Sequence, residues 1–108
     1  MYTPNRHYAS FYIAGFQYHD GAQVLSKLNP GTKLKLVAEP DNPYDPNAVA
    51  IFRKGTRLGY VPQNLNDTLS QLLVLGHADV FEAYVSSVAP EEHPCKQVYA
   101  TIKVKDAN

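Results

Sequence analysis

Run after run of this chain places an apolar side chain on every second residue, the period of a half-buried β-strand, and this constrains the fold more than any other feature. Residues 8–16 set Phe11 and Ile13 opposite Tyr12 and Ala14, and residues 33–38 set Leu34, Leu36 and Ala38 opposite Lys33, Lys35 and Val37. Later, Phe81, Ala83 and Val85 alternate with Glu82 and Tyr84 within residues 80–88. Val98, Ala100, Ile102 and Val104 then alternate with Tyr99, Thr101, Lys103 and Lys105. Residues 48–53 and 57–61 read as two further strands, a hairpin joined by a tight turn at Lys54 and Gly55. Helical spacing occurs in two places. Val24, Leu25 and Leu28 give one or two turns stopped by Pro30 and Gly31; Leu69, Leu72, Leu73 and Val74 follow a cap at Asn64 or Asn66 and end at Gly76. The expected fold is therefore mostly β with two helices, its six strands forming an antiparallel barrel or strongly curled sheet.

A chain of 108 residues is near the commonest domain size and buries enough surface to fold without metal or disulfide support. We expect one domain over residues 8–105, a flexible tail at 1–7 and a short tail at 106–108. One cysteine, Cys95, builds no disulfide framework, and no signal-like or transmembrane run opens the chain, so the expected location is cytoplasmic, with no membrane partner. Ten basic and ten acidic residues give zero net charge. The long-range attraction that dominates ordinary DNA binders is then missing, and tight binding along a duplex is disfavoured. A site that reads one chain end by stacking and a few directed hydrogen bonds needs less charge. With eight tyrosines and no tryptophan, tyrosine is the available stacking residue, although at least half of them are expected to line the core. Neutral net charge is compatible with a monomer or a weak homo-oligomer.

Residues 39–51, EPDNPYDPNAVAI, form the most distinctive segment. Pro43 and Pro46 each fix φ and push the preceding residue towards extended geometry, which stiffens the turn around Tyr44 and Asp45. A stiff turn displays side chains at low entropic cost. An aromatic ring and a carboxylate displayed together can stack on a planar ligand and accept a hydrogen bond from a hydroxyl.

Three motifs in order, GFQYHDG at residues 15–21, EPDNPYDPNAV at 39–49 and LGYVP at 58–62, resemble those of the HIRAN domain, and the likeness runs from about Phe11 to Val104. The resemblance implies a small OB-like six-stranded antiparallel β-barrel, found alone in bacteria or fused to helicases, nucleases and fork-remodelling ATPases. In the best understood eukaryotic members this domain captures the free 3′-hydroxyl end of single-stranded DNA. By the same resemblance, Tyr18 and Tyr44 fall on positions that stack terminal bases, and Asn42 on one that contacts the terminal nucleotide. Bonding to its own backbone is an equal alternative for Asn42. Asp45 has two readings as well: a carboxylate that accepts a bond from a 3′-hydroxyl and repels a 3′-phosphate, or a turn cap bonded to amides near Asn47 and Ala48. Gln17 stands where DNA-capturing members carry an arginine, and Tyr60 and Gln63 where they offer a histidine and a lysine. With His19, the candidate DNA-binding set is Gln17, Tyr18, His19, Asn42, Tyr44, Asp45, Tyr60 and Gln63. Compensating positive charge could come from His19, Lys33, Lys35, Arg53 or Arg57, but spacing does not show which of them faces the site.

No catalytic residue, cofactor or metal is expected. His7, His19, His77 and His93 are scattered without ligand spacing, and Asp41, Asp45 and Asn47 lack the glycine and closing glutamate of a calcium loop. His93 and Cys95 share an exposed loop but have no identifiable orienting group or oxyanion donor. The expected function is a module that recognises single-stranded DNA, at its free 3′-hydroxyl end, in repair or replication-fork processing, with a helicase or nuclease as the class of protein partner. A protein-interaction module on the same fold is the alternative, and single-stranded RNA is a third possibility.

Overall fold

The computed structural model describes residues 7–16 and 21–105. Its strands are β1 (His7–Tyr12), β2 (Lys33–Ala38), β3 (Val49–Arg53), β4 (Thr56–Tyr60), β5 (Phe81–Val88) and β6 (Val98–Val104), with β1, β2, β5 and β6 on the alternating runs and β3 and β4 on the expected hairpin. They form one sheet in the order β1-β6-β5-β2-β3-β4, with every named pair antiparallel. The β3–β4 hairpin turns through Lys54 and Gly55 at φ 48° and 86°, two positive values in succession, which match the right-handed twist of the flanking strands.

The sheet curls into an open half-barrel and not the closed barrel expected from the sequence. β1 ends at Tyr12, and among the described residues the edges β1 and β4 meet at one isolated bridge, Ala14 to Tyr60, with reciprocal backbone bonds of 2.9 Å each. Closure by a full ladder would need β1 to continue beside β4, but the chain turns away at Gly15. Gly59 makes the meeting possible. A Cβ at this position would lie 2.4 Å from the Ala14 carbonyl oxygen and 2.7 Å from Ile13 Cγ2.

The expectation of two helices is also corrected. The first is a single α-turn, Gly21–Val24, that tightens into a 3-10 turn at Leu25–Lys27, because Pro30 and Gly31 leave no room for further turns. The second, Asp67–Val74, is a full helix that buries Leu69 and half-buries Leu72 and Leu73 against the sheet; Val74 points outward. Fully burying a leucine such as Leu69 contributes roughly 1.5–3 kcal/mol. The helix ends in a Schellman arrangement, with Gly76 N donating to Leu73 O and His77 N to Leu72 O. Asn66 occupies the N-cap position but makes no capping bond with its side chain.

The core inside the curl is built from the inward sets of the alternating runs: Phe11 and Ile13, Val49 and Ile51, Val85 and Ile102 among them. Several tyrosines serve this framework, as when Tyr8 packs edge-on against Phe81 and Tyr12 against Tyr99. Thr101 is buried although its position reads as outward. Its hydroxyl joins Ser10 on β1, at 2.9 Å, and Ser86 on β5, forming a polar line across three strands. Among the described residues no helix is long and apolar enough to cross a membrane.

Candidate functional site

The proline-rich segment 39–48 is an organised loop. Its base is closed by Glu39 N donating to Ala48 O at 2.8 Å, and turns within it by Asn42 N to Glu39 O and Ala48 N to Asp45 O, each at 3.0 Å. Asn42 Oδ1 accepts from the amides of both Tyr44 and Asp45, at 2.9 and 3.1 Å, so the backbone-bonding alternative for Asn42 describes its carbonyl. The consequence is a Tyr44 side chain that is 92% exposed on a backbone fixed by two prolines and a side-chain clamp.

Asp45 does what the capping alternative required. Its Oδ1 accepts from Asn47 N at 2.9 Å, and its Oδ2 from Asn66 Nδ2, also at 2.9 Å. Asn66 is only 3% exposed, so its amide, unused for helix capping, is spent in tying the start of the Asp67–Val74 helix to the proline loop. Each carboxylate oxygen retains a second acceptor direction, so these bonds orient Asp45 without saturating it.

Glu39 gathers residues from the loop and β4. Its Oε1 accepts from the Tyr60 hydroxyl at 2.8 Å and from Asn42 Nδ2 at 3.2 Å, and its Oε2 from Arg57 Nη2 at 2.9 Å. Arg57 Nη1 also donates to the Tyr60 oxygen at 3.2 Å, and its guanidinium carbon lies 5.4 Å from the Phe52 ring centre and 5.7 Å from that of Tyr60. Burial, reinforced by the Glu39 hydrogen bond and charge and opposed by Arg57, raises the Tyr60 pKa above its ordinary value. The hydroxyl is therefore a firm donor to Glu39.

These elements wall an open cleft of about 1160 Å³, which includes Asn42, Tyr44, Asp45, Tyr60 and Gln63 from the expected set. The volume exceeds the roughly 300–1,000 Å³ of ordinary small-molecule pockets. Its lining includes small residues such as Ala14, Ala38 and Ala48, whose side chains take up little space. Among the described lining residues, Glu39, Asp41 and Asp45 bring negative charge and Arg57 brings positive charge. Lys33, Lys35 and Arg53 are not on the cleft wall. Gln17, Tyr18 and His19 lie outside the described residues.

Sequence reasoning missed Glu39 and Asn66 as site residues and left Arg57 undecided among several cations. The segment motif contained Glu39, but its partners stand 18 and 21 residues away, and nothing local announces them. Elsewhere, His93 Nδ1 lies 3.1 Å from Cys95 Sγ in an exposed loop away from the cleft.

A model of the HIRAN domain matches residues 7–105. The fold is similar to that of a structural-genomics crystal structure of a protein from Lactobacillus plantarum, with a TM-score of 0.69 at 20% identity, covering 93% of this chain and 97% of that one. It is also similar to the crystal structure of the HIRAN domain of human HLTF, with a TM-score of 0.61 at 19% identity over 94% of this chain and 81% of that one. No curated protein matches the chain in sequence. At such identities the two crystal structures speak for the fold, while the family match spans nearly the whole sequence, and on that match the chain belongs to the HIRAN domain family.

Proposed function

We propose that this domain binds single-stranded DNA at its free 3′-hydroxyl end, and that it serves DNA repair or replication-fork processing beside a helicase or nuclease. A HIRAN domain implies a nucleic-acid-binding module. The finer reading is carried by one observation: Tyr44, 92% exposed on a clamped turn, stands next to the oriented carboxylate of Asp45 in the same cleft. The ring offers a stacking face for a terminal base, and Asp45 has acceptor capacity left for a hydroxyl. A terminal phosphate would meet Asp45, Asp41 and Glu39 as like charges. On this reading the domain acts as a binding module and not as an enzyme.

Titration of fluorescent oligonucleotides that differ only in a 3′-hydroxyl or a 3′-phosphate tests this reading. The hydroxyl twin should bind roughly tenfold or more tightly, the difference expected for a charge-assisted hydrogen bond. Tyr44→Ala should weaken binding by about 1–3 kcal/mol, as loss of one base stack does. Asp45→Asn should abolish most of the preference for the hydroxyl. Equal binding of the twins would reduce the cleft to a generic stacking groove. The acidic balance of the described lining favours a second reading, a protein-interaction module, which absence of binding to both twins would select.

A further inference from the structure

We infer that Arg57 is the phosphate ligand of this cleft and that Glu39 acts as its latch, limiting the site to a single backbone phosphate. This rests on the reading of the cleft as a site for single-stranded DNA. Among the described lining residues Arg57 is the cation and three carboxylates share the wall with it, so of these residues Arg57 is the one that meets the charge of a phosphate entering the cleft. Of the other candidate cations, Lys33, Lys35 and Arg53 do not line the cleft, and His19 lies outside the described residues.

Arg57 is also prepared for the task. Nη2 is fixed on Glu39 at 2.9 Å and Nη1 on the Tyr60 hydroxyl at 3.2 Å, while the guanidinium plane is steadied by the rings of Phe52 and Tyr60. These contacts use one bond from each terminal nitrogen, and a guanidinium carries five N–H donors, so donors remain for a phosphate oxygen. The side chain is 39% exposed, which leaves it reachable, and a group already held in place loses little freedom when a ligand binds. Glu39 supplies that order and at the same time offsets the charge. A phosphate drawn to Arg57 meets a guanidinium already half-neutralised, and for a second phosphate the charged groups left among the described lining residues are the carboxylates Asp41 and Asp45. The arrangement suits a chain end and disfavours a strand running through.

Salt dependence of binding isolates this term, because each phosphate contact on a single strand adds about −0.7 to the slope of log affinity against log salt, or about fivefold per tenfold rise in salt. The probe is the 3′-hydroxyl oligonucleotide measured by anisotropy over a salt series. Arg57→Gln should flatten the slope by about 0.7 relative to the unaltered protein. Arg57→Lys, which keeps the charge and loses the fork, should restore the slope at weaker affinity. Glu39→Gln should bind several-fold more tightly at low salt and discriminate less against internal segments. Thermal melts of each variant confirm that the fold persists. If the unaltered protein binds and Tyr44→Ala weakens it, yet Arg57→Gln leaves the slope unchanged, the inference about Arg57 fails while the DNA reading stands. If the unaltered protein binds no single-stranded DNA, the DNA reading fails and the inference goes with it.

Discussion

Tyr60 carries two duties in one residue: its backbone bridges to Ala14, and its hydroxyl donates to Glu39. Its pKa is raised above 10.0, with burial as the largest cause and Glu39 next. In the folded protein the neutral phenol is favoured, so the stability it contributes is fully present below the unfolded value near 10.0 and is lost as pH rises through the higher folded value. Tyr60→Phe should therefore cost about 1 kcal/mol at neutral pH, the usual net worth of a hydrogen bond, and should lessen the loss of stability between about pH 9 and 11. Urea unfolding of both proteins across that range checks it; parallel pH profiles would show that the phenol contributes nothing. At this scale the sequence was legible where partners are close neighbours. Tyr44, Asp45 and Asn42 stand out because prolines and short polar side chains act within a few residues. The grouping of Glu39, Arg57 and Tyr60 was not legible, since it depends on how β2 leads into the loop and where β4 pairs.

Five of the six strands were readable to about a residue at each end, most plainly β5, where alternation reports one-sided burial, whereas β1 stops at Tyr12 although its run reads on to residue 16 and β3 buries Val49, Ala50 and Ile51 in succession. The hairpin at Lys54 and Gly55 was readable for the same local reason. The features that went unread arise between elements. Asn66 looks like a helix cap, yet its side chain serves Asp45, a choice made by the packing of the helix start against the proline loop. Gly59 looks like an ordinary strand glycine, but its missing side chain is what lets β4 approach the end of β1. Gly59→Ala would drive a Cβ onto the rigid carbonyl of Ala14 at 2.4 Å, and overpacking of this kind typically costs roughly 1–3 kcal/mol. Thermal unfolding should show a fall in Tm, and a Tm equal to that of the unaltered protein would mean the two edges can part without loss.

For the molecule as a whole, the order β1-β6-β5-β2-β3-β4 leaves β1 and β4 as the outer strands of the curl, and the candidate cleft lies where they come together. Among its described lining residues three carboxylates accompany one arginine, so the cleft, like the whole chain, shows no excess of cations there. Whether the sheet closes was not legible, because closure depends on a few backbone bonds at the ends of two strands. Hydrogen exchange should follow this geometry: the amides of Ala14 and Tyr60 should exchange faster than that of Val85 in the middle of the sheet, since among the described residues a single bridge joins the two edges there. A sheet fastened at one point behaves as a mechanical clasp. A ligand that grips Tyr60 and its neighbours would lend the clasp its own strength, so occupancy of the cleft should be audible at the far side of the bridge, as slower exchange at Ala14.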